Sequence, residues 1–398
     1  MPRRATKRGD ERTPLHRDCD VLICGASFAG LAVARELAAT GADVLVIDRY
    51  EIGERQTSAC GIPTLWLAAL DLQEALQQTF GELVIHTPHT TARYDLPWTF
   101  STFDYRALCG LLAAQGSFTF ETAKVSGRSA GADRLASSAD AELGGGSPIQ
   151  VIETDRGEIR APLVVDALGW RRVLGSGANI QPPDALLSRG LEVHPHGGGS
   201  DLEVWIDRGY VPAGYGWSFP AGEEVRIGIG SFDPRFHVRE PTVRLATDLG
   251  AETVRYQGNW IPHALRPATD DGVFFVGDSA GHCLPLTAEG IRTALYFGLA
   301  CGRELARVIA GDQTRAQALA RYHQFSASHA MPFRWMLRVQ RLIPRIAPRA
   351  LAPGLQAMSA KRFVDWSFGH YLNIAHPSFA ATGGVPARAA ARAALAAA

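Results

Sequence analysis

Residues 20–48 hold the chain's clearest chemistry: Val21–Cys24 is a short apolar run that leads into Gly25-Ala26-Ser27-Phe28-Ala29-Gly30. A helical pattern follows to Thr40, Gly41 stops it, and a second apolar run, Val44–Ile47, ends at Asp48. This order predicts strand, tight turn, helix, strand. Gly25 permits the turn, the middle position lets a pyrophosphate approach the backbone, and Gly30 lets helix and strand pack closely. The helix start offers free N–H groups and a positive dipole end to phosphate. Asp48 lies 23 residues beyond Gly25, near the roughly 20 expected for the acid that binds an adenosine ribose. Ser27 stands where the middle glycine of this fingerprint would be.

A second strand-turn-helix runs from Gly272-Val273-Phe274-Phe275-Val276 through Gly277-Asp278-Ser279 to Pro285–Ile291, which opens a helix reaching about Ile309. A carboxylate at such a tip can accept hydrogen bonds from a polyol. A helix opening at Gly290 can present N–H groups to an electron-rich ring edge. No further strand-GxGxxG-helix occurs in the sequence. One dinucleotide is therefore held tightly, and a nicotinamide donor would visit without a Rossmann domain of its own.

The irregular stretch 51–63 contains Cys60-Gly61, which is either a reactive centre or a buried small hydrophobe. Tyr215, Trp217 and Phe219 alternate before Pro220, so they share one strand face. Residues 65–78 are predicted helical and 83–100 form short strands. Phe103–Gln115 is a helix opened by Asp104, and 118–125 is a strand. Residues 126–148 are a Ser/Gly-rich loop, and 149–161 a hairpin that feeds a central parallel strand, Leu163–Asp166. From 185 to 265 the period is strand-like and antiparallel, with a helix at 242–250.

The fold class is thus α/β: a Rossmann-like dinucleotide-binding domain interleaved with an antiparallel-sheet substrate domain, plus a helical basic C-terminal region. The expected boundaries are a disordered arm at 1–18, cofactor domain at 19–60, 101–182 and 266–312, and substrate domain at 61–100 and 183–265. Helices occupy 313–385 and an Ala/Arg tail 386–398.

Net charge is zero, yet residues 313–398 hold eleven basic residues and one acid, against 29 basic and 39 acidic in 1–312. The tail therefore meets something anionic, and a lipid surface fits better than nucleic acid. Arg334, Arg338, Arg341 and Arg345 are spaced for one helix face among apolar residues, so 331–362 is expected either to touch an anionic membrane or to pack across the substrate domain. The apolar stretch at 21–34 is interrupted too early for a membrane span. Six cysteines without paired CxxC spacing suggest neither a disulfide framework nor a metal site. A reducing cytoplasm is the expected location.

Together these residues resemble the flavoproteins that include geranylgeranyl reductases, p-hydroxybenzoate hydroxylase-type monooxygenases and flavin-dependent halogenases. The resemblance, over roughly 20–310, implies that Gly25–Gly30 and Asp48 hold the ADP half of FAD. It places Gly277 and Asp278 at the ribityl chain, and Pro285, Gly290 and Ile291 at the isoalloxazine. Arg49, Arg106 and Val125 complete the expected cofactor set. Tyr215-Gly216-Trp217-Ser218-Phe219-Pro220 is similar to the Tyr-x-Trp-x-Phe-Pro motif of geranylgeranyl reductases, and Cys60-Gly61 to their Cys-Gly beside the flavin. Tyr215, Trp217, Phe219, Pro220 and Gly61 are accordingly expected at the substrate, with Cys60 or water as proton donor.

Ala167 replaces the glycine of the Asp-Gly motif of aromatic hydroxylases, and no lysine falls where a halogenase needs one. The implied activity is FAD-dependent reduction of C=C bonds in an isoprenoid or similarly apolar small molecule, driven by NAD(P)H or a protein electron donor. The alternatives are an FAD-dependent monooxygenase and a non-enzymatic prenyl carrier.

Overall fold

A computed structural model describes residues 13–56, 58–129, 149–177, 182 and 184–382. Of the loop expected over 126–148, residues 130–148 lie outside the described residues, as does the tail at 386–398, while 126–128 belong instead to strand Val125–Arg128, which pairs with Gln150–Thr154.

Val21–Cys24 is wholly buried at the middle of a six-stranded sheet. Its strands run in the order Thr269–Asp270, Val273–Phe275, Leu163–Asp166, Val21–Cys24, Val44–Asp48, Thr119–Thr122. All pairs are parallel except the first. Parallel strands buried on both faces read as continuous apolar runs, and Val-Leu-Ile-Cys, Val-Leu-Val-Ile and Leu-Val-Val have that form. The ligand-binding edge of such a sheet lies beyond the carboxyl ends of its strands. The Gly25 turn, Asp48, Asp166 and the Gly277 turn all sit at that edge.

Helices Phe28–Glu36 and Ile291–Ile309 pack against each other along a seam of small residues. A Cβ on Gly298 would lie 2.6 Å from the Ala29 carbonyl oxygen and 2.9 Å from Ala32 Cβ; one on Gly302 would lie 2.7 Å from Glu36 Cβ. Two glycines four residues apart thus bring the helices, and with them the two cofactor turns, into close register.

The second sheet has eight strands in the order Gln257–Pro262, Leu187–Val193, Glu224–Ser231, Gly214–Ala221, Leu202–Trp205, Leu76–Thr87, Thr90–Phe103, Gly61–Pro63. It corrects the helix expected over 65–78. The helix is only Thr64–Ala69, and after a single 3₁₀ turn the chain enters a twelve-residue strand from Leu76. The short strands expected over 83–100 form one long hairpin whose second arm reaches Phe103. A smaller sheet joins Val125–Arg128, Gln150–Thr154 and Gly157–Ala161 to Arg17–Asp18. Part of the expected N-terminal arm is therefore ordered: Leu15 N–H donates to the Arg156 carbonyl and Arg17–Asp18 pairs with Ile159–Arg160.

After the long helix come Arg315–Ser328, Ala330–Leu342, Pro348–Met358 and Lys361–Asn373. Proline ends one of these and opens the next, because Pro344 follows Leu342 and Pro348 takes the first helical position.

Replacing Gly298 by valine should overpack the seam at a cost of about 1–3 kcal/mol or more. Gly369→Ala, where an added Cβ meets nothing within 4 Å, should be neutral or stabilise by up to ~1 kcal/mol. Denaturant midpoints of the two variants check this, and equal midpoints would refute the seam.

Candidate active site

The ligand edge of the parallel sheet opens into one cavity of about 1390 Å³, larger than the roughly 300–1,000 Å³ of ordinary small-molecule sites. One end is polar and built by the glycine turn. Gly25 has φ +114°, and a Cβ there would sit 2.3 Å from the Ala167 carbonyl oxygen; a Cβ on Gly30 would sit 1.9 Å from the Gly25 carbonyl oxygen. Only glycine lets the turn fold under the helix while strand Leu163–Asp166 passes beside it.

Ser27 occupies the N-cap but does not bond back to the helix; its hydroxyl lies 3.2 Å from that of Tyr105. The first-turn N–H groups are thus left to an anion, which suits a pyrophosphate. Asp48 accepts from Ala26 N–H at 2.9 Å and from Tyr50 N–H at 3.1 Å, so it braces the turn while lining the cavity.

Ala26, Ser27, Phe28, Ala29, Arg49 and Val125 line the cavity. Arg106 does not. It is exposed on the far side of Gly53, and its neighbour Tyr105 takes the wall position. The helix turns successive side chains by about 100°, so a helix read from sequence does not reveal which of two adjacent residues faces inward.

At the second turn, Gly277 has φ +60° and Asp278 lies on the wall. Burial lifts the Asp278 carboxyl to about 6, with Arg266 pulling the other way. Asp166 is fully buried and fastens this turn to the central strand, accepting from Ser279 Oγ at 2.7 Å and from the N–H groups of Leu168 and Leu174, each at 2.9 Å.

The segment 285–291 is contorted, with φ +69° at Leu286 and +52° at Ala288. Leu286–Ile291 lines the cavity, and Pro285 stands behind it. Tyr215 Oη donates to the Thr287 carbonyl at 2.7 Å, tying the antiparallel sheet to this segment. Cys283, which the sequence reading passed over, is also on the wall, and burial pushes its thiol well above the ordinary range.

The wide end is apolar. Tyr215, Trp217 and Phe219 all reach it, whereas Pro220 is buried behind them and its carbonyl accepts from Thr102 Oγ1 at 2.8 Å. Sequence reasoning missed Tyr94, Leu96, Trp98 and Phe100, which line the same chamber. Their strict alternation along one strand was the available signal. Leu355, Met358, Trp366 and Tyr371 of the C-terminal helices close the far side.

Cys60 corrects an expectation. Ser58, Ala59 and Gly61 line the cavity but Cys60 does not; its side chain has no exposed surface and its Sγ lies 3.2 Å from the Ser58 carbonyl. A φ of +52° turns the residue inward. The guanidinium of the fully buried Arg226 holds the Ala59 carbonyl at 2.8 Å and the Phe103 carbonyl at 3.1 Å. Burial raises the thiol well above its usual range. It is a protonated packing residue without a path to the cavity.

Residues 18–71 match a model described as FAD binding domain. The chain is 26% identical to digeranylgeranylglycerophospholipid reductase 2 of Methanopyrus kandleri, over 87% of this chain and 92% of that protein. It is 28% identical to reductase 1 of the same organism, over 76% and 84%. Among solved structures, a geranylgeranyl bacteriochlorophyll reductase-like protein from Thermoplasma acidophilum superposes with a TM-score of 0.76 at 16% identity, covering 92% of this chain and 98% of that one. p-Nitrophenol 4-monooxygenase from Pseudomonas putida gives 0.68 at 13% identity, covering 90% and 99%; at such identities both attest the fold alone. The cofactor is FAD. The cradle over Gly25 and Gly30, the uncapped helix start and the wall carboxylates of Asp48 and Asp278 fit its phosphates and two polyols.

Asp48→Ala should lower FAD retention at least tenfold, since a hydrogen bond to a charged group contributes about 1.5–3 kcal/mol. The check is flavin absorbance near ~450 nm after desalting, with far-ultraviolet circular dichroism unchanged. Full retention would remove Asp48 from the site.

Proposed function

We propose that this geranylgeranyl reductase-like FAD-dependent oxidoreductase saturates C=C bonds in the isoprenoid chains of a lipid. The observation that carries the reading is the continuity of the cavity. The same cavity is lined by Ala26, Asp48, Asp278 and Gly290, by Trp98, Trp217 and Phe219, and by Met331, Trp335, Phe363 and Trp366 of the C-terminal helices. A long apolar chain can lie in the wide end with one double bond against the cofactor, while a polar head group stays at the mouth. When bound in reduced form, FAD would supply the hydride chemistry, with NAD(P)H or a protein donor as the reductant.

The chain's own residues bind and orient. The aromatic wall excludes water and aligns the chain through area and shape. Tyr215, held on the Thr287 carbonyl, fixes the antiparallel sheet against segment 285–291. Apolar burial favours such a substrate at about 25 cal/mol per Å², and the few polar wall groups are left for the reacting end.

The mouth supports a membrane-facing orientation. Met331, Trp335, Leu342 and Trp366 are each more than half exposed. Arg334, Arg338 and Arg341 on helix Ala330–Leu342, Arg345 in the 3₁₀ turn after it, Arg349 on helix Pro348–Met358 and Arg362 on helix Lys361–Asn373 are exposed as well. Among the described residues no helix is long and apolar enough to cross a membrane. Aromatic side chains with flanking arginines suit the interface of an anionic bilayer, where each basic residue adds about 1 kcal/mol.

Two measurements test the reading. Anaerobic photoreduction followed by addition of a polyprenyl lipid should return the oxidised spectrum without oxygen. A reduced spectrum that persists until air enters would favour the monooxygenase alternative. Anionic vesicles should float the protein at low salt, and Trp335→Ser with Trp366→Ser should abolish flotation while FAD absorbance stays. Flotation unaffected by the double variant would place the contact elsewhere.

A further inference from the structure

The aromatic chamber contains a carboxylate that apolar binding does not explain. Glu192, on strand Leu187–Val193, lines the cavity although the residue is only 3% exposed. Its Oε2 accepts from Trp217 Nε1 at 3.2 Å, and its Oε1 lies 2.9 Å from His194 Nε2. On the other side of the buried imidazole, Nδ1 is 3.5 Å from Glu224 Oε1. Glu224 is in turn held by Arg226 at 3.1 Å and by the half-exposed Arg255 at 3.3 Å. An unpaired buried carboxylate is costly, and a buried charge persists only where partners satisfy it. Here two carboxylates enclose one histidine, and one of them opens onto the cavity.

We propose that Glu192, backed by His194, donates the proton that completes alkene saturation. The assignment rests on the reductase reading above. Saturation adds a hydride to one alkene carbon and a proton to the other. The hydride leaves reduced FAD, which becomes oxidised. The proton leaves the Glu192 carboxyl, breaking its O–H bond as the new C–H bond forms. Glu192 is left as a carboxylate beside a neutral His194, and water returns one proton to the pair when product leaves the cavity.

The charges around the pair poise it to give up a proton. Strand Glu224–Ser231 contributes Glu224 and Arg226, the segment before strand Gln257–Pro262 contributes Arg255, and strand Gly214–Ala221 contributes the neutral donor Trp217. Cys60, on the adjoining segment, stays a neutral thiol, and helix Arg239–Asp248 turns only Thr242 and apolar groups toward this strand. With one proton on the Glu192–His194 pair the cluster carries a net single positive charge, and with the proton gone it is neutral. Glu224 stays ionised, because the His194 hydrogen bond and then Arg226, against burial, hold its carboxyl down at about 2. Burial opposes a charged His194, but its bonds to Glu192 and Glu224 outweigh this and keep its pKa above the ordinary histidine value. The geometry gives the pair one shared proton position, between His194 Nε2 and Glu192 Oε1 at 2.9 Å. Glu192 would be the catalytic residue and His194 a positioning residue acting through it.

The test uses FAD-loaded enzyme, photoreduced without oxygen and mixed with a polyprenyl lipid. Glu192→Gln keeps the shape and the acceptor for Trp217, and should slow flavin reoxidation by about 100-fold or more while leaving FAD retention intact. His194→Gln should slow it less and flatten its pH profile. Independently of activity, the His194 imidazole followed by NMR should titrate at lower pH in E192Q than in wild type. If wild type reoxidises and E192Q follows within about threefold, or His194 titrates identically in both, the proton assignment falls and the reductase reading stands. If no isoprenoid reoxidises wild type, the reductase reading falls and the assignment with it. Should E192Q lose its FAD, wild type decides. Reoxidation that slows as pH rises from about 6 to 9, through the histidine range, supports the pair, and a flat profile overturns it.

Discussion

Arg292 is completely buried, and the cavity-lining segment 285–291 and the C-terminal helices both depend on it. Its guanidinium makes two bonds of 2.8 Å to the Glu289 carboxylate and reaches the carbonyls of Leu372 at 2.9 Å and Tyr371 at 3.1 Å. Glu289 also accepts from Tyr371 Oη. A guanidinium out of water survives only with its planar donors filled, and here a carboxylate from one element and carbonyls from another fill them. Segment 285–290, bent through two left-handed non-glycine residues, is thereby held in a conformation costing of order 1–3 kcal/mol per strained residue. Burial works against the Arg292 charge, but Glu289 and Tyr371 more than compensate and raise its pKa above the ordinary arginine value.

The cavity is divided by the same logic. At the cofactor end, polar groups belong to the backbone and to carboxylates fixed by backbone donors, as with Asp48 and Asp166. At the substrate end, apolar side chains project from alternate positions of four strands, and Glu192 enters this surface only because Trp217 and His194 satisfy it. Arg226 joins the two regimes. It pairs with Glu224 in the antiparallel sheet while holding the carbonyls of residues 59 and 103, where the chain passes between the sheets.

The dinucleotide half of this arrangement was legible in the sequence because it is local. A turn, a helix start and an acid within thirty residues carry their geometry in their spacing. The strand face of Tyr215, Trp217 and Phe219 was legible for the same reason. The failures share a cause as well. Leu65 to Gln78 is rich in leucine and alanine, good helix formers, and tertiary pairing with Thr90–Phe103 overrode that preference. Cys60 beside Gly61 pointed to a reactive thiol, yet a single left-handed residue decides which way a side chain faces, and Arg226, far along the chain, fixes that turn. The Glu192–His194–Glu224 cluster shows no motif in one dimension, because its members meet only when strands pair in register.

The basic C-terminal helices show how composition and geometry meet. A cluster of arginines costs solvation if buried and repels itself if crowded, so these side chains lie outward while Leu355, Met358 and Tyr371 turn toward the cavity. The helices are not a detachable cover. Trp66 Nε1 donates to the Ala375 carbonyl, Tyr94 Oη donates to the Leu355 carbonyl, and Arg292 binds the end of helix Lys361–Asn373. Any displacement of that helix must therefore break bonds to Glu289 in the cavity-lining segment 285–291. Entry of a chain at one end of the cavity and the backbone geometry at the other are coupled through Tyr371 and Arg292, two residues that carry no chemistry of their own.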